Sequence, residues 1–397
     1  MLLYFTLAGM VFQYYVGRKT VNALEANTGW PRKRIRLTAF AVVCWIILYP
    51  LLMLGSYFLK LGNVSRSFQT SSILLDSLIT YPFWIGVILA VQLSMFFLAI
   101  DAAKLLLFPL YKKRKARWLK AENWLVIGLF VIGAIFVTAR VYNDLNNVRV
   151  RETEAMIVAL PGELEGFRIA QIADLQADGR TNGKKLRAYV DEVNRLNPDI
   201  ILFCGDLVTG GTDYIETGAE AIGRMQARYG IYACLGDHDF FSNPVMVKQN
   251  LEKNGVTVLD NASMSLPVGE SSLSLTGITN VYRTRPAPSA LEGIERNRTR
   301  EPVNIFLTHQ PSPWLVNHAA EKGYDLFLAG HTHGGQIVFP LPGYLLTGSS
   351  FETDYVSGFY KVGSMLVSVN NGLGLTLAPV RYNAPAEVTL ISLRAGK

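Results

Sequence analysis

Short apolar runs that end in an aspartate or a histidine recur through the second half of this 397-residue chain. The runs predict buried β-strands, because they are rich in β-branched and aromatic residues and are bounded by turn-forming residues. The polar residues that end them are, in chain order, Asp174, Asp206, Asp237 with His238, His309, and His331 with His333. In open α/β sheets, ligands bind at the carboxyl ends of the strands. The pattern therefore predicts one site built from carboxylates and imidazoles.

The segments between these runs have the apolar periodicity of amphipathic helices. A strand-like stretch over 167–174 is followed by a helical pattern over 184–198 and by a second strand over 199–206. Alternation of strands and helices indicates an α/β layered fold, and the later part of the chain is richer in strands. We therefore predict one α/β (α+β) domain over residues 146–397.

The segment AGHTHGGQI, residues 329–337, places two histidines one residue apart and follows them with two glycines. Imidazole is the commonest metal-binding side chain at neutral pH, and glycines let the backbone turn tightly. A strand-end turn with two solvated histidines would also explain this segment by itself. The five histidines of the chain favour a metal site, since none lies in the first 237 residues and four end strand-like runs. A catalytic zinc uses about three protein ligands, so a set this large predicts two ions that share a carboxylate.

Apolar segments dominate the first 145 residues, which we predict to form a transmembrane anchor region. Only 17% of the chain is charged, against about 25% in soluble domains. The anchor is predicted to contain about four helices, over residues 2–17, 37–59, 78–100 and 124–142. A span needs about 20 apolar residues, and Pro50 predicts a kink in the second segment. Deep ionisable residues are absent from these segments, so a transporter is not favoured.

The basic charge of the chain belongs to this region and does not indicate nucleic-acid binding. Residues 1–145 hold 16 Lys+Arg and 5 Asp+Glu, whereas residues 146–397 hold 22 and 26. Loops 18–36 and 101–121 are strongly basic, while loop 60–72 holds only Lys60 and Arg66. The positive-inside rule makes both basic loops cytoplasmic and predicts an extracytoplasmic domain after the fourth helix.

The stretch 73–110 is the weak point of this topology, because two spans there would move the domain to the cytoplasm. One helix is favoured, since two spans would bury Asp101 and Lys104. The three cysteines, Cys44, Cys204 and Cys234, have no CxxC spacing, and we expect free thiols. The oligomeric state is left open.

The order D-x-Q at Asp174, GD at Asp206, GDHD around His238, His309, and GHTHGGQ resembles the calcineurin-like metallophosphoesterases, specifically their membrane-anchored bacterial branch. The resemblance covers roughly residues 150–397 and includes the glycine-rich tail. It implies a sandwich of two mixed sheets flanked by helices, with a di-metal centre that hydrolyses phosphate esters through a metal-bridged hydroxide.

The resemblance also implies a role for each matching residue. The implied metal ligands are Asp174 and His333 for the first ion, Asp206 as the bridge, His309, His331 and Asp237 for the second ion, and Gln176 as a further donor. His238 would stabilise the attacked phosphoryl group or protonate the leaving oxygen. Asp239 would orient His238 by accepting its other N–H.

Two positions depart from the family pattern. Most members have histidine where this chain has Gln176, and asparagine where it has Asp237. An amide oxygen and an added carboxylate favour Mn²⁺ over Zn²⁺, with Fe and Mg²⁺ as further candidates. The anchor suggests a phosphorylated lipid or cell-envelope substrate in the cell (inner) membrane, where confinement raises effective concentration. The alternative is a weakly active or inactive pseudoenzyme that serves as a membrane scaffold.

Overall fold

The computed structural model describes residues 2–60 and 72–396 and divides into two units, Met1–Asn143 and Asp144–Lys397. Arg66, one of the two basic residues of the predicted second loop, lies outside the described residues. Each unit is internally packed and is described by itself below.

The first unit consists of apolar helices. Its long helices are α1 (Leu2–Asn27), α2 (Arg32–Ile46), α3 (Leu48–Phe58), α4 (Tyr81–Leu106) and α5 (Lys115–Asn146). Short helical segments span Ile73–Leu75, Asp76–Thr80, Phe108–Tyr111 and Lys112–Arg114. Within the described residues, three helical stretches are long and apolar enough to cross a membrane, namely Arg32–Ser56, Asp76–Leu106 and Phe108–Asn146. The predicted segment 2–17 lies within α1, and the number of spans stays a prediction.

A break at Ile47 separates α2 from α3, in the segment where Pro50 predicts a kink. The break has a local cause, because proline has no N–H to donate to the carbonyl four residues earlier, here that of Ile46. The N–H of Ile47 still bonds the Val43 carbonyl at 3.0 Å, so the helical ladder is interrupted for one turn only.

Ionised side chains join α1, α4 and α5 at the ends that carry the basic loops. Lys19 pairs with Asp101, the Tyr15 hydroxyl donates to Asp101 at 2.6 Å, and Lys104 Nζ lies 2.9 Å from Glu122 Oε2. These three helix ends therefore lie on one side of the helical unit.

The second unit is a sandwich of two six-stranded mixed sheets. The first sheet has the order β1-β14-β2-β3-β4-β5 and the second has the order β12-β13-β9-β8-β7-β6. The strands of the first sheet are β1 (Val148–Val158), β2 (Arg168–Ile172), β3 (Ile200–Phe203), β4 (Ile231–Ala233), β5 (Val256–Val258) and β14 (Ala386–Gly396). Those of the second are β6 (Ala262–Val268), β7 (Ser271–Ile278), β8 (Val303–Thr308), β9 (Leu326–Ala329), β12 (Gly358–Val362) and β13 (Met365–Val369). A hairpin, β10 (Phe339–Leu341) and β11 (Tyr344–Leu346), stands apart from both sheets.

Helices cover the outer faces of the two sheets. They are α6 (Gly183–Arg195), α7 (Ile215–Gly223), α8 (Asp237–Ser242), α9 (Pro244–Lys253), α10 (Pro288–Asn297) and α11 (Pro313–Glu321). The core between the sheets is apolar from both sides, with Ile169 and Leu202 of the first sheet packed in one cluster with Ile305 and Leu328 of the second. This architecture confirms the predicted fold class.

The strand directions bring the ligands together. Strands β2, β3 and β4 run parallel, and so do β8, β9 and β13 in the other sheet. Gln171 ties the two sheets together near these ends, since its amide donates to the Ala329 carbonyl at 2.9 Å and accepts from the Ser368 hydroxyl at 2.6 Å. The carboxyl ends of both sets therefore meet at one edge of the sandwich.

Candidate metal centre

All seven predicted ligands follow the carboxyl ends of five strands and lie at this edge. Asp174 and Gln176 follow β2, Asp206 follows β3, Asp237 follows β4, His309 follows β8, and His331 and His333 follow β9. Six of the seven residues are buried, and His331 is the partly exposed one. The structure thus brings together every residue that the sequence places in the site.

Five of these residues have a left-handed backbone, which is uncommon for residues other than glycine. Their φ angles are 49° at Asp174, 50° at Gln176, 62° at Asp206, 71° at His331 and 51° at His333. Such conformations persist where the surrounding structure fixes them, and they cluster at functional sites. The chain turns sharply after each strand and points successive side chains to one centre.

Two glycines allow the strand-end loops to approach the carboxylates closely. A Cβ at Gly236 would lie 2.2 Å from Asp206 Oδ1, and a Cβ at Gly372 would lie 2.7 Å from the Cβ of Asp174. Gly372 also has a φ of 70°. Any larger residue at either position would displace a ligand.

The donors of the second half-site are Asp237, His309 and His331, whose ligand atoms lie within 4.8 Å of one another. His331 Nδ1 is 2.9 Å from Asp237 Oδ2 and 3.3 Å from His309 Nε2. One carboxylate and two imidazoles form a suitable half-site for a divalent ion.

The donors of the first half-site are Asp174, Asp206 and His309, whose ligand atoms again lie within 4.8 Å of one another. His309 Nε2 is 3.3 Å from Asp206 Oδ2, so these two residues adjoin both groups. His333 Nε2 lies 3.3 Å from Asp174 Oδ1, and the Gln176 amide donates to Asp206 Oδ2 at 2.9 Å. The two half-sites are therefore contiguous around Asp206 and His309.

The residues fit a pair of cations. Three buried carboxylates, Asp174, Asp206 and Asp237, lie in one place, and buried like charges require neutralisation. Asp174 Oδ1 and Gln176 Oε1 are buried and have no hydrogen-bond partner. Divalent ions would satisfy both atoms.

Protonated side chains also neutralise part of the negative charge of these carboxylates. Burial opposes the charged form of His331, but hydrogen bonds to Asp237 and Glu352 outweigh it and raise the pKa of His331 to about 9. Burial would raise the pKa of Asp237, yet the His331 hydrogen bond and the nearby His309 lower it to about 2. Burial raises the pKa of Asp174 to about 6.

His238 lies beside the centre at the start of α8. Its backbone N–H donates to Asp206 Oδ1 at 2.8 Å, and its Nδ1 lies 2.6 Å from the Thr209 carbonyl oxygen. The carbonyl can only accept, so the proton resides on Nδ1. Nε2, which is 3.4 Å from the Thr376 hydroxyl, is left for chemistry.

Asp239 does not orient His238, and this expectation is corrected by the structure. Its carboxylate accepts the backbone N–H groups of Asp206, Leu207 and Gly236 at 2.9–3.0 Å. Asp239 therefore fixes the loop that carries Asp206, while the Thr209 carbonyl takes the position against His238. Burial raises the pKa of Asp239 to about 7.

Three contacts on the second half-site escaped sequence reasoning. Gln310 donates to Asp237 Oδ2 at 2.8 Å. Glu352 Oε1 and the Tyr282 hydroxyl lie 3.1 Å and 3.3 Å from His331 Nε2. Gln310 directly follows His309 and could have been noticed, whereas Tyr282 and Glu352 lie in loops without a local signal.

Arg381 supports the first half-site from behind and is 1% exposed. Its Nη2 donates to the carbonyls of Asn371, Gly372 and Gly374 at 2.6–3.0 Å. Its Nη1 donates to Ala384 at 2.8 Å and to the His333 carbonyl at 3.3 Å. Burial lowers the pKa of Arg381 to about 10.

Comparison with known proteins finds phosphoesterases. The calcineurin-like phosphoesterase family profile matches residues 167–335. The uncharacterized metallophosphoesterase YkuE of Bacillus subtilis is 27% identical over 275 residues, covering 68% of this chain and 94% of that protein. A Danio rerio transmembrane protein with metallophosphoesterase domain is 29% identical over 280 residues, covering 66% of this chain and 61% of its own length. Among solved structures, an archaeal phosphodiesterase aligns with a TM-score of 0.29 and 15% identity, covering 52% of this chain and 84% of that one.

Proposed function

Because the chain belongs to the calcineurin-like phosphoesterase family and is a metal-dependent phosphoesterase, we propose that it hydrolyses a phosphate ester or diphosphate of a lipid or cell-envelope component at the membrane. The observation that carries this proposal is the pair of contiguous donor groups around Asp206 and His309. The apolar helices of the first unit support the membrane as the place of action.

We assign Asp174, Gln176 and His333 to one ion, Asp237, His309 and His331 to the other, and Asp206 to both. When bound, two divalent ions supply Lewis-acid charge to the phosphoryl oxygens and lower the pKa of a water to make a nucleophile. Oxygen donors on Asp174, Gln176, Asp206 and Asp237 favour Mn²⁺ over Zn²⁺.

His238 is the group of the chain assigned to proton transfer. The Thr209 carbonyl fixes the Nδ1 proton and the ring orientation, as a hydrogen bond to a catalytic imidazole usually does. Nε2 then faces the open side, where it can stabilise the attacked phosphoryl group or give a proton to the leaving oxygen.

The phosphoesterase unit is assigned to the extracytoplasmic side of a cell (inner) membrane, with the helical unit as a multi-pass anchor. The basic loops next to α1 and α5 support this orientation, since positive loops remain cytoplasmic. Confinement of enzyme and substrate to one surface raises their effective concentration.

Hydrolysis by the purified full-length protein tests the function. We expect Mn²⁺-dependent turnover of bis-p-nitrophenyl phosphate or p-nitrophenyl phosphate, and a loss of about a hundredfold or more in His238→Ala. The matched control is His318→Ala, because His318 lies on α11 beside Glu295, 3.7 Å away. Absence of metal-dependent turnover, or full activity in His238→Ala, would favour the scaffold alternative.

A further inference from the structure

Exposed apolar side chains are concentrated around the metal centre. In the described part of residues 144–396, eleven large hydrophobic side chains are exposed, and seven of them lie on α8, on the β10–β11 hairpin or on segments next to residues that contact the candidate ligands. We call these seven the mouth surface: Phe241, Tyr282, Leu341, Tyr344, Leu345, Phe351 and Leu377. Apolar clusters on a protein surface mark interaction sites.

Two members of the mouth surface adjoin His238. The Phe241 ring lies 6.0 Å from the imidazole ring and is 46% exposed. Leu377 is 80% exposed and directly follows Thr376, whose hydroxyl is 3.4 Å from His238 Nε2. These side chains thus face solvent at the point where a leaving group would depart.

Two further members adjoin His331 on the other half-site. Tyr282 is 53% exposed, and its hydroxyl lies 3.3 Å from His331 Nε2. Phe351 is 84% exposed and precedes Glu352, which is 3.1 Å from the same nitrogen. The apolar groups therefore flank both sides of the centre.

Leu377 is held in position by the surrounding structure. Its φ is 57°, a conformation that a leucine rarely adopts. The Gln336 amide fixes the loop on both sides of it, donating to the Thr376 carbonyl at 2.6 Å and to the Ala378 carbonyl at 2.7 Å. Strained backbone clusters at functional sites, so a loop that holds an exposed leucine in this conformation supports a role in binding.

Cationic side chains accompany the apolar ones. The Arg283 guanidinium lies 4.9 Å from the Phe241 ring, and both Arg283 and Arg285 are exposed. Apolar groups interspersed with arginine suit an anionic lipid interface, where the rings enter the acyl boundary and the cations meet headgroup phosphates.

Strand β1 begins at this end of the sandwich. β1 starts at Val148 opposite Ala386, and the Glu387 N–H donates to the Gly372 carbonyl at 3.1 Å, beside the ligands. One residue, Asn147, separates β1 from α5, the last apolar helix. The first residue of β1 therefore lies at the sheet end that bears the mouth surface.

We propose that the mouth surface docks on an anionic lipid bilayer and holds the metal centre against headgroup phosphates. The inference deepens the proposed function by naming the bilayer surface as the partner of the site. Docking itself requires no turnover and can be tested separately.

Spin labels on the full-length protein in nanodiscs of phosphatidylethanolamine and phosphatidylglycerol test the docking. Phe351→Cys is labelled in a Cys44→Ser background, because the other native cysteines, Cys204 and Cys234, are buried. The matched control is Val158→Cys, an exposed residue at the opposite end of β1, paired with Gly396.

We expect the Phe351→Cys label to be at least about fivefold more accessible to oxygen, relative to a water-soluble nickel chelate, than the Val158→Cys label. Arg283→Gln with Arg285→Gln should reduce this difference, as should replacing phosphatidylglycerol by phosphatidylcholine. Equal accessibility of the two labels in anionic nanodiscs would overturn the proposal.

A hydrolysis measurement keeps the two proposals separate. The labelled Phe351→Cys and Val158→Cys proteins are assayed for Mn²⁺-dependent turnover of soluble bis-p-nitrophenyl phosphate beside the accessibility measurement. If the Phe351→Cys label is the more accessible to oxygen but no turnover is found, the enzyme function is overturned and docking stands. If turnover is found but the two labels are equally accessible, docking alone is overturned.

Discussion

Backbone strain is concentrated on individual residues of the candidate metal centre. Asp174, Gln176, Asp206, His331 and His333 each hold a left-handed conformation, at a cost of about 1 kcal/mol or more per residue. Aspartate and histidine tolerate this region better than most residues, because short polar side chains bond locally. The free-energy cost of these conformations is offset by hydrogen bonds within the strand-end loops. These hydrogen bonds also set the spacing of the candidate metal ligands.

Gln176→His tests the metal preference at a single position. Imidazole is a better ligand for Zn²⁺ than an amide oxygen, so the ratio of Zn²⁺ to Mn²⁺ affinity should rise roughly tenfold. Competition titration of the metal-free protein would measure it. The exposed Gln226→His is the control, and an unchanged ratio in Gln176→His would remove Gln176 from the ligands.

Metal uptake should release protons. Without metal, the pKa of His331 is about 9, and that of His309 is raised because its carboxylate neighbours outweigh its burial. His331 is therefore protonated at pH 7, the pKa of His309 is shifted in the same direction, and an ion binds only the neutral imidazole. Affinity should rise with pH up to about 9, by roughly tenfold per unit for each displaced proton.

Calorimetry in two buffers of different ionisation enthalpy between pH 6.5 and 8.5 counts these protons. The His318→Ala variant should release as many as the parent, since His318 lies on α11. A binding enthalpy that is the same in both buffers would show that His309 and His331 release no protons when the metal binds.

Among the structural elements, the tail segment between β13 and β14 supports the first half-site. Arg381 donates to four backbone carbonyls of this segment and to the carbonyl of His333, and Gly372 and Gly374 lie against Asp174 and Gln176. This buried cation is tolerated because backbone carbonyl dipoles accept from its Nη1 and Nη2 groups. The segment and the ligand loops are therefore one cooperative structure.

Arg381→Met should open this segment. Buried carbonyls left without donors cost about 1–3 kcal/mol each, so hydrogen exchange over residues 370–384 should accelerate roughly a hundredfold or more. In Arg381→Lys, the exchange rate should lie between those of the parent and of Arg381→Met, because one ammonium cannot replace the planar guanidinium. The exposed Arg224→Met, which loses a surface pair with Glu220, should leave exchange unchanged; protection in Arg381→Met equal to the parent would contradict the supporting role.

At the scale of the whole molecule, a basic helical unit is joined to an acidic phosphoesterase unit. Residues 1–145 carry the excess of lysine and arginine, and residues 146–397 carry the excess of acidic residues. The charge therefore reports on membrane orientation and not on the substrate. One helix, Tyr81–Leu106, lies in the stretch where one or two spans were possible, and the side of the membrane stays a prediction.

Labelling of intact cells with a membrane-impermeant maleimide checks the orientation. In a Cys44→Ser background, Val158→Cys should react from outside, whereas Lys113→Cys in the second basic loop should react only after permeabilisation. The reverse pattern would place the phosphoesterase unit in the cytoplasm.

Local chemistry is what the sequence determines by itself. The strand-like runs that end in Asp174, Asp206, His309 and His331 predict the candidate ligands. They do so because, in an α/β fold, ligands bind at the carboxyl ends of the strands. The long apolar runs of the first 145 residues likewise predict the helical unit, because a membrane-spanning helix needs a continuous apolar stretch. The fold class, the family and the gathering of the ligand set all follow from such local patterns.

Only the tertiary structure decides which groups hold the ligands. His238 is oriented by the carbonyl of Thr209, 29 positions away, and not by the adjacent Asp239, whose carboxylate turns back to the Asp206 loop. Tyr282 and Glu352 reach His331 from separate loops. Hydrogen bonds act over about 3 Å in space, while a sequence gives only distance along the chain, so these partners depend on how the loops pack.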